Sequence, residues 1–150
     1  MITFTRGNIF HSDAEAIVNT VNTVGASGKG LALTFKRLYP FNEVIYRKAC
    51  ESGKVRIGKM LMTTTDSCLN TKWIVNFPTK EHFRNPSKIE WIEQGLKDLR
   101  KVIINYEIKS IAIPALGAGL GGLDWEEVKS AIEDALIDLE GVNILVYEPL

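Results

Sequence analysis

The sequence predicts a layered α/β domain built around a largely parallel sheet. Short β-like runs alternate along the chain with longer stretches of helical periodicity, an order typical of strand–helix–strand units. Two glycine-rich segments, residues 19–30 and 114–122, each follow a β-like run and precede a helical pattern. With 150 residues, 45% of them hydrophobic, the chain is long enough for one buried core. We therefore expect a single domain over residues 1–150.

Runs rich in β-branched and aromatic residues predict four strands in the first half of the chain. These strands are expected over residues 2–5, 16–20, 60–65 and 73–77. Apolar residues at helical spacing lie between the second and third strands, and they predict two helices over residues 31–38 and 42–52. The first of these helices directly follows a glycine-rich segment, so its N-terminus would face any ligand held there.

The second half contains the strongest helical signal, over residues 87–105, where apolar residues recur three or four positions apart with charged residues between them. A strand is expected at residues 110–114 and the last one at residues 142–147. A helix over residues 125–139 separates them. Asp124 precedes this helix and is a residue type that caps free backbone N–H groups.

The charge balance is neutral overall but uneven along the chain. Residues 1–88 carry 13 basic and 6 acidic side chains, whereas residues 89–150 carry 5 and 12. This polarity is compatible with an anionic partner on one face, and equally with two solvated faces of opposite sign. Cys50 and Cys68 are too few and too far apart for a zinc or redox motif, and no signal peptide or long apolar segment is present. A reduced, cytoplasmic setting is expected.

The two glycine-rich segments have the composition of a phosphate cradle. Glycines let the backbone approach a ligand, and N–H groups near a helix start supply positive potential. The first segment adds Asn19 and Asn22, whose amides bind sugar hydroxyls without adding a repelling charge. Each segment alone is equally compatible with a turn that only joins two elements. Together they favour a diphosphate or phosphosugar ligand that needs no metal ion.

Two better-known motifs are formally close to these segments, and neither fits. Residues 117–122 satisfy G-x-G-x-x-G, but dinucleotide-binding folds place that motif in their first strand–helix unit. Residues 28–30 are similar to part of a P-loop, but Thr23 stands where its first glycine belongs, and Gly30 where its magnesium-binding Ser or Thr belongs. A Rossmann oxidoreductase and an ATPase are therefore disfavoured.

Lys80 is the candidate for a catalytic side chain. It follows the predicted strand at residues 73–77, and open α/β sheets place their sites beyond such strand ends. The alternative is an ordinary solvated lysine. His11 and His82 lie far apart without metal-ligand spacing, so surface or capping roles are expected for them.

The glycine-rich segments, their order along the chain and the residues that flank them resemble those of the macrodomains, a family that binds ADP-ribose. The similarity covers essentially the whole chain and is carried by residues 6–9, 17–22, 28–32 and 113–125. It implies a three-layer α/β/α fold with a central mixed, largely parallel sheet. Thr79 and Lys80 make the chain most similar to the DarG-type antitoxin branch, whose hydrolases use a lysine. Those hydrolases remove the ADP-ribose that a DarT-type toxin attaches to bases of single-stranded DNA.

The resemblance also implies where ADP-ribose binds. Asn8 and Ile9 are expected beside the adenine, and Tyr147 is expected either as a stacking wall or as an ordinary aromatic at a strand end. Many macrodomains have Asp where Asn8 stands, so recognition of the adenine amino group is expected to lack a charge here. The diphosphate is expected against the backbones of both glycine-rich segments, at Gly28, Gly30, Leu31, Leu116, Gly117, Ala118, Gly119 and Leu120.

Two residues are assigned to catalysis by the same resemblance. Lys80 approaches the anomeric carbon of the terminal ribose, and Asn22 holds the sugar hydroxyls and orients the scissile bond. Asn19 and Thr20, just before Asn22, are assigned to ADP-ribose binding. Relatives that act on acidic protein side chains pair the lysine with an Asp, and Gly121 stands at that position here.

The alternatives are a non-enzymatic reader of ADP-ribose and a hydrolase of ADP-ribosylated Glu or Asp in proteins. The expected partners are ADP-ribose, ADP-ribosylated single-stranded DNA and a cognate DarT-type toxin, with no cofactor, no metal ion and no membrane. In the antitoxin branch a C-terminal region binds the toxin, whereas this chain stops three residues after Tyr147. The chain is therefore expected to be the N-terminal, enzymatic part of a longer antitoxin.

Overall fold

A computed structural model describes residues 1–65 and 71–149. Within these residues the chain forms six strands, four α-helices and a short 3-10 helix, Ile9–His11, that was not predicted. The strands are β1 Ile2–Thr5, β2 Ala16–Asn22, β3 Leu61–Thr64, β4 Trp73–Lys80, β5 Ser110–Ile113 and β6 Asn143–Tyr147. The helices are α1 Gly30–Leu38, α2 Pro40–Glu51, α3 Ile89–Asn105 and α4 Trp125–Leu136. Each predicted strand and helix is present.

The six strands form one sheet in the order β1-β6-β5-β2-β4-β3. Neighbouring strands run parallel except for β3, which is antiparallel to β4 at the sheet edge. The prediction of a mixed, largely parallel sheet is therefore confirmed. β2 and β4 continue beyond their predicted ends, to Asn22 and Lys80, because their backbones go on pairing after the apolar runs have ended.

Helices cover both faces of the sheet, which gives the predicted three layers. Alternate residues of a strand point to opposite faces, so the central strands are apolar on both sides. Val18 and Val75 pack into the larger core, which includes α3 and α4. Ile17 and Ile74 pack on the other face against Phe35 of α1. A smaller cluster on that face joins α2 to the end of β2.

A buried network of polar side chains attaches α2 to the sheet. Asn19 of β2 donates to Asn76 Oδ1 of β4 at 3.1 Å, and Asn42 of α2 exchanges hydrogen bonds with Asn76 at 2.9 and 3.2 Å. Thr63 of β3 donates to Asn42 Oδ1 at 2.6 Å. All four side chains are buried. Because buried polar groups must find partners, this network favours one placement of α2 over the sheet.

Some local expectations are corrected. α4 ends at Leu136 rather than at residue 139, although Leu139 still packs into the core from the following turn. Asp124 occupies the N-cap position, but its side chain makes no capping hydrogen bond. Cys50 carries a free thiol, and Cys68 lies outside the described residues. No helix within residues 1–65 and 71–149 combines the length and apolarity needed to cross a bilayer.

Candidate functional site

A cavity of about 1180 Å³ opens at the carboxyl ends of five neighbouring strands, β1, β6, β5, β2 and β4. Open α/β sheets bind ligands at this edge. With strands about 4.8 Å apart, the cavity crosses roughly 19 Å of the sheet. Ile9 and Tyr147 line one end, Lys80 and Phe83 line the other, and both glycine-rich segments line the middle. The cavity therefore suits an elongated ligand with a polar centre.

The first glycine-rich loop is folded around the side chain of Asn22. Its Oδ1 accepts hydrogen bonds from the backbone N–H groups of Val24, Gly25 and Ala26 at 3.2, 3.0 and 3.2 Å. Its Nδ2 donates to the Ala26 carbonyl at 2.9 Å. An amide has two N–H donors, and within the described residues only one of the Asn22 Nδ2 hydrogens makes a hydrogen bond. Asn22 therefore organises the loop in addition to lining the cavity.

Helix α2 holds this loop from behind. The buried Tyr46 hydroxyl donates to the Asn22 carbonyl at 2.6 Å and lies 3.0 Å from its Oδ1. Burial, with the nearby Cys50 thiol, raises the pKa of Tyr46 well above its usual range, so the hydroxyl remains a donor. Further along, Ser27 Oγ donates to Glu43 Oε2 at 2.9 Å. The loop is thus fixed before any ligand arrives.

The N-terminus of α1 provides an anion-binding surface at the centre of the cavity. Lys29 at the N-cap makes no side-chain capping bond, and the first turn contains no acid. The first N–H groups of a helix lack partners within the helix, and their dipoles favour a negative charge. Residues 28–32 line the cavity, and the direction in which a Gly28 side chain would point is open space. A phosphate can therefore approach these N–H groups closely.

The second glycine-rich loop closes the cavity from the opposite side. Gly117 and Gly122 have φ values of +70° and +77°, which side chains rarely adopt. A Cβ on Gly121 would lie 2.4 Å from the Gly117 carbonyl oxygen, so no side chain is accommodated there. Leu120 extends towards Gly30 of the first segment. A Cβ added at Gly30 would lie 3.1 Å from Leu120 Cδ1. The two segments therefore approach each other across the cavity.

Lys80 lies at the β4 end of the cavity, directly beside Asn22. The pairing of β2 with β4 shifts register there, so that Val21 pairs with Pro78 and Asn22 with Lys80. Such a bulge re-aims the side chains that follow it. Lys80 Nζ donates to the Phe83 carbonyl at 3.3 Å and to the Leu120 carbonyl at 3.1 Å. Within the described residues, no carboxylate lies within 4.0 Å of this ammonium group.

The β1 end of the cavity is apolar with one acid. Ile9 is buried, and Tyr147 packs against the same cluster. Glu148 also lines the cavity, and its Oε2 accepts from the Trp125 indole at 3.3 Å. Asn8 lies beside this end, where its Oδ1 accepts from the Phe10 N–H at 2.9 Å and caps the 3-10 helix.

The structure brings together most of the predicted binding residues. Eleven line the cavity: Ile9, Thr20, Asn22, Gly28, Gly30, Leu31, Lys80, Gly117, Gly119, Leu120 and Tyr147. Four do not: Asn8, Asn19, Leu116 and Ala118. Asn19 belongs to the buried amide network, and Leu116 is fully buried in the core. Within residues 1–65 and 71–149, no three His, Cys, Asp or Glu side chains form a group that could hold a metal ion.

Six lining residues lie outside the segments that were assigned to the site from the sequence: Phe83, Arg84, Asn85, Pro86, Glu148 and Pro149. Phe83 and Arg84 lie on the loop after Lys80, where a single aromatic and a single cation give no periodic signal. Glu148 directly follows Tyr147, and its proximity to that predicted stacking residue was the one available hint.

The sequence profile of the Macro domain family matches residues 18–132 of this chain. The chain belongs to the macrodomain family. This macrodomain is 52% identical over 150 residues to a Thermus aquaticus protein named DNA ADP-ribosyl glycohydrolase, a match that covers 100% of this chain and 42% of that protein. The chain thus spans well under half the length of this curated relative.

Solved structures of other macrodomains have the same fold. The macrodomain of Mycobacterium tuberculosis DarG superposes with a TM-score of 0.98 at 49% identity, covering 100% of this chain and 99% of that one. Thermosipho africanus DarTG in complex with ADP-ribose gives a TM-score of 0.93 at 36% identity, covering 99% of this macrodomain and 42% of that chain. The predicted family and three-layer fold are therefore confirmed.

Proposed function

We propose that this macrodomain is a glycohydrolase that removes ADP-ribose from a base of single-stranded DNA. It would thereby reverse the action of a DNA ADP-ribosyltransferase toxin. The observation that carries the proposal is the position of Lys80, whose Nζ lies at one end of the cavity between the carbonyls of two loops. Three curated relatives that match 99–100% of this chain are named DNA ADP-ribosyl glycohydrolases, which supports the assignment.

In this proposal ADP-ribose lies along the cavity with its adenine at the β1 end. Ile9 and Tyr147 contact the base, and Glu148 supplies an acceptor near it. The diphosphate lies between the N-terminus of α1 and the second glycine-rich loop. Each charge-assisted hydrogen bond there contributes about 1.5–3 kcal/mol. The terminal ribose then reaches Asn22, with its anomeric carbon towards Lys80. The ADP-ribose in the complex of the T. africanus relative is consistent with such a ligand.

The reaction breaks the bond between the anomeric carbon and the DNA base. Water supplies the hydroxyl that remains on the ribose and the proton that remains on the base. Lys80 acts in one of two ways, as a nucleophile that forms a transient sugar adduct or as a cation that stabilises charge on the departing base. Borohydride trapping of an adduct on Lys80 separates these two roles.

Two other functions use the same cavity. A non-enzymatic reader would bind ADP-ribose and make no use of Lys80. Hydrolysis of ADP-ribosylated Glu or Asp is disfavoured, because the acid that pairs with the lysine in such relatives would stand at Gly121. Any side chain at Gly121 would collide with the Gly117 carbonyl oxygen.

The decisive experiment compares ADP-ribose release from modified single-stranded DNA with release from modified protein. We expect release from the DNA, and a loss of roughly 100-fold or more in Lys80→Ala, with binding of free ADP-ribose retained. Lys97→Ala, which removes an exposed lysine of α3, is the matched control and should behave as wild type. Full activity in Lys80→Ala would refute the assigned role, and binding without release from either substrate would identify a reader.

The biological setting follows from the same proposal. A DarT-type toxin is the expected partner, as the paired name of the T. africanus protein suggests. The chain covers only part of its curated relatives, so we assign toxin binding to a region outside these 150 residues. Modified chromosomal DNA as substrate would place the reaction in the cytoplasm.

A further inference from the structure

A compact group of π-systems lies on the loop that follows β4. The rings of His82 and Phe83 stack with centroids 4.4 Å apart and planes inclined by 25°. The guanidinium carbon of Arg84 lies 5.4 Å from the Phe83 ring centroid. His82 Nδ1 accepts the Arg84 backbone N–H at 3.2 Å, which fixes the turn that carries all three side chains.

This group lies at the end of the cavity where the reaction is proposed to occur. Phe83 and Arg84 line the cavity, whereas His82 supports the Phe83 ring from outside it. The Phe83 carbonyl accepts from Lys80 Nζ at 3.3 Å, so the ring is carried by the residue that holds the lysine. Phe83 is nevertheless 46% exposed. An exposed aromatic ring that also lines the cavity is available to stack on a part of the ligand that extends out of the cavity.

We propose that Phe83 and Arg84 form a stacking platform for the nucleobase that carries the ADP-ribose. This inference rests on the proposed function and names the part of the substrate that the macrodomain recognises beyond ADP-ribose. The adenine lies at the far end of the cavity, so the aromatic ring of the bound substrate that lies nearest Lys80 is the modified base. Aromatic rings and guanidinium planes stack on any base, because every base has a π-face.

The platform gives a preference for DNA over protein substrates. An ADP-ribosylated Glu or Asp presents a flexible chain without a π-face at this position, so it gains nothing from the ring. Arg84 adds positive charge for a phosphate next to the modified base, and Glu81 on the same loop partly offsets it. Recognition of this kind depends on stacking and not on base edges, so it is tolerant of which base is modified.

The test measures binding in the Lys80→Ala background, so that it does not depend on turnover. The probes are a short single-stranded oligonucleotide with one ADP-ribosylated base and free ADP-ribose. We expect Phe83→Leu, which keeps an apolar side chain but removes the π-face, to weaken oligonucleotide binding roughly ten- to hundred-fold. Phe83→Trp should restore it. Phe41→Leu, at an exposed ring on α2, is the matched control and should change nothing.

Binding of free ADP-ribose should be unchanged in all of these variants. Wild-type oligonucleotide affinity in Phe83→Leu, or an equal loss of both ligands, would overturn the platform. If the oligonucleotide binding depends on Phe83 but the wild-type protein releases no ADP-ribose from it, the proposed hydrolase activity fails while the platform stands. If the wild-type protein releases ADP-ribose and Phe83→Leu has no effect on oligonucleotide binding, the hydrolase activity stands and the platform fails.

Discussion

Asn22 has two functions that the sequence could not separate. It was predicted to hold the sugar, and it does line the cavity, but its amide oxygen organises three backbone N–H groups of the first glycine-rich loop. The residue was identifiable because its amide lies within a glycine-rich segment, and the resemblance to macrodomains assigned it to the sugar. Tyr46, 24 positions away, was not identified as the buried hydroxyl that fixes Asn22 from α2.

Two protonated groups behind this loop make the protein sensitive to high pH. Burial raises the pKa of both Tyr46 and the Cys50 thiol. Model cysteines and tyrosines lose their protons near pH 8.5 and 10, so the unfolded chain releases protons that the folded chain keeps. The folded state then binds more protons, and by linkage its stability falls as pH rises through these values.

The free energy of unfolding should therefore decrease between about pH 9 and pH 11 in urea denaturation measurements. In Tyr46→Phe the decrease should be smaller, because the group that resists ionisation is gone, and with Cys50→Ala added it should be smaller again. At pH 7 the free energy of unfolding of Tyr46→Phe should be about 1 kcal/mol lower than that of the wild type, because the hydrogen bond of the hydroxyl is missing. A slope against pH identical to that of the wild type would contradict the role of Tyr46.

At the scale of elements, two glycines of the second glycine-rich loop differ in whether they tolerate a side chain. Gly119 has no atom within 4 Å of an added Cβ, whereas Gly121 faces the Gly117 carbonyl oxygen at 2.4 Å. We expect Gly119→Ala to keep wild-type stability and fold. Gly121→Ala must displace the loop backbone, which should weaken ADP-ribose binding at least tenfold and lower the melting temperature. Calorimetric titration with ADP-ribose and thermal denaturation check both variants, and equal behaviour of the two would refute the steric argument.

The secondary structure was predictable because local and tertiary signals agree. The apolar spacing of residues 87–105 gives α3 nearly to the residue, since its buried face packs on the sheet. Strand ends were less predictable: β4 continues to Lys80 because β2 goes on pairing with it, and a single-sequence pattern contains no information on that partner. The same limit applies to Asn19, whose partner Asn76 comes from elsewhere in the chain and is itself bonded to Asn42.

The loop after β4 was the least predictable part of the site. Glycine-rich segments carry a backbone requirement that is visible in the sequence, whereas Phe83 and Arg84 are single residues in an irregular loop. Further along this loop, the Ser87 N–H donates to the Gly121 carbonyl at 3.0 Å and joins the loop to the second glycine-rich segment. That contact spans two parts of the chain that no local pattern relates.

At the scale of the whole molecule, the uneven charge along the chain corresponds to two different sides of the sheet. The basic half of the chain includes α1, α2 and the loop after β4, which surround the first glycine-rich loop and the Lys80 end of the cavity. The acidic half includes α3 and α4, which cover the opposite face of the sheet. A DNA strand linked to a bound ADP-ribose would therefore leave the cavity over the basic side.

Affinity for ADP-ribosylated single-stranded DNA should fall as the salt concentration rises. A plot of the logarithm of the binding constant against the logarithm of the salt concentration should have a slope of about −0.7 for each phosphate contacted. Lys48→Ala with Lys54→Ala should reduce that slope, because both lysines are exposed near the end of α2 that packs against Gly25. Lys101→Ala with Lys109→Ala removes the same charge from the opposite half. Salt titrations that give equal slopes for the two double variants would show that DNA does not follow the basic side.

The place of β6 in the sheet has a consequence for synthesis. β6 is inserted between β1 and β5, and among the described strands it is the one partner of β1. During translation, β1 emerges first but has no neighbour until residues 143–147 leave the ribosome. The cavity wall that contains Ile9 and Tyr147 then assembles in a single late step. A chain translated only as far as α4 would lack this wall, so this end of the cavity forms only after β6 has left the ribosome.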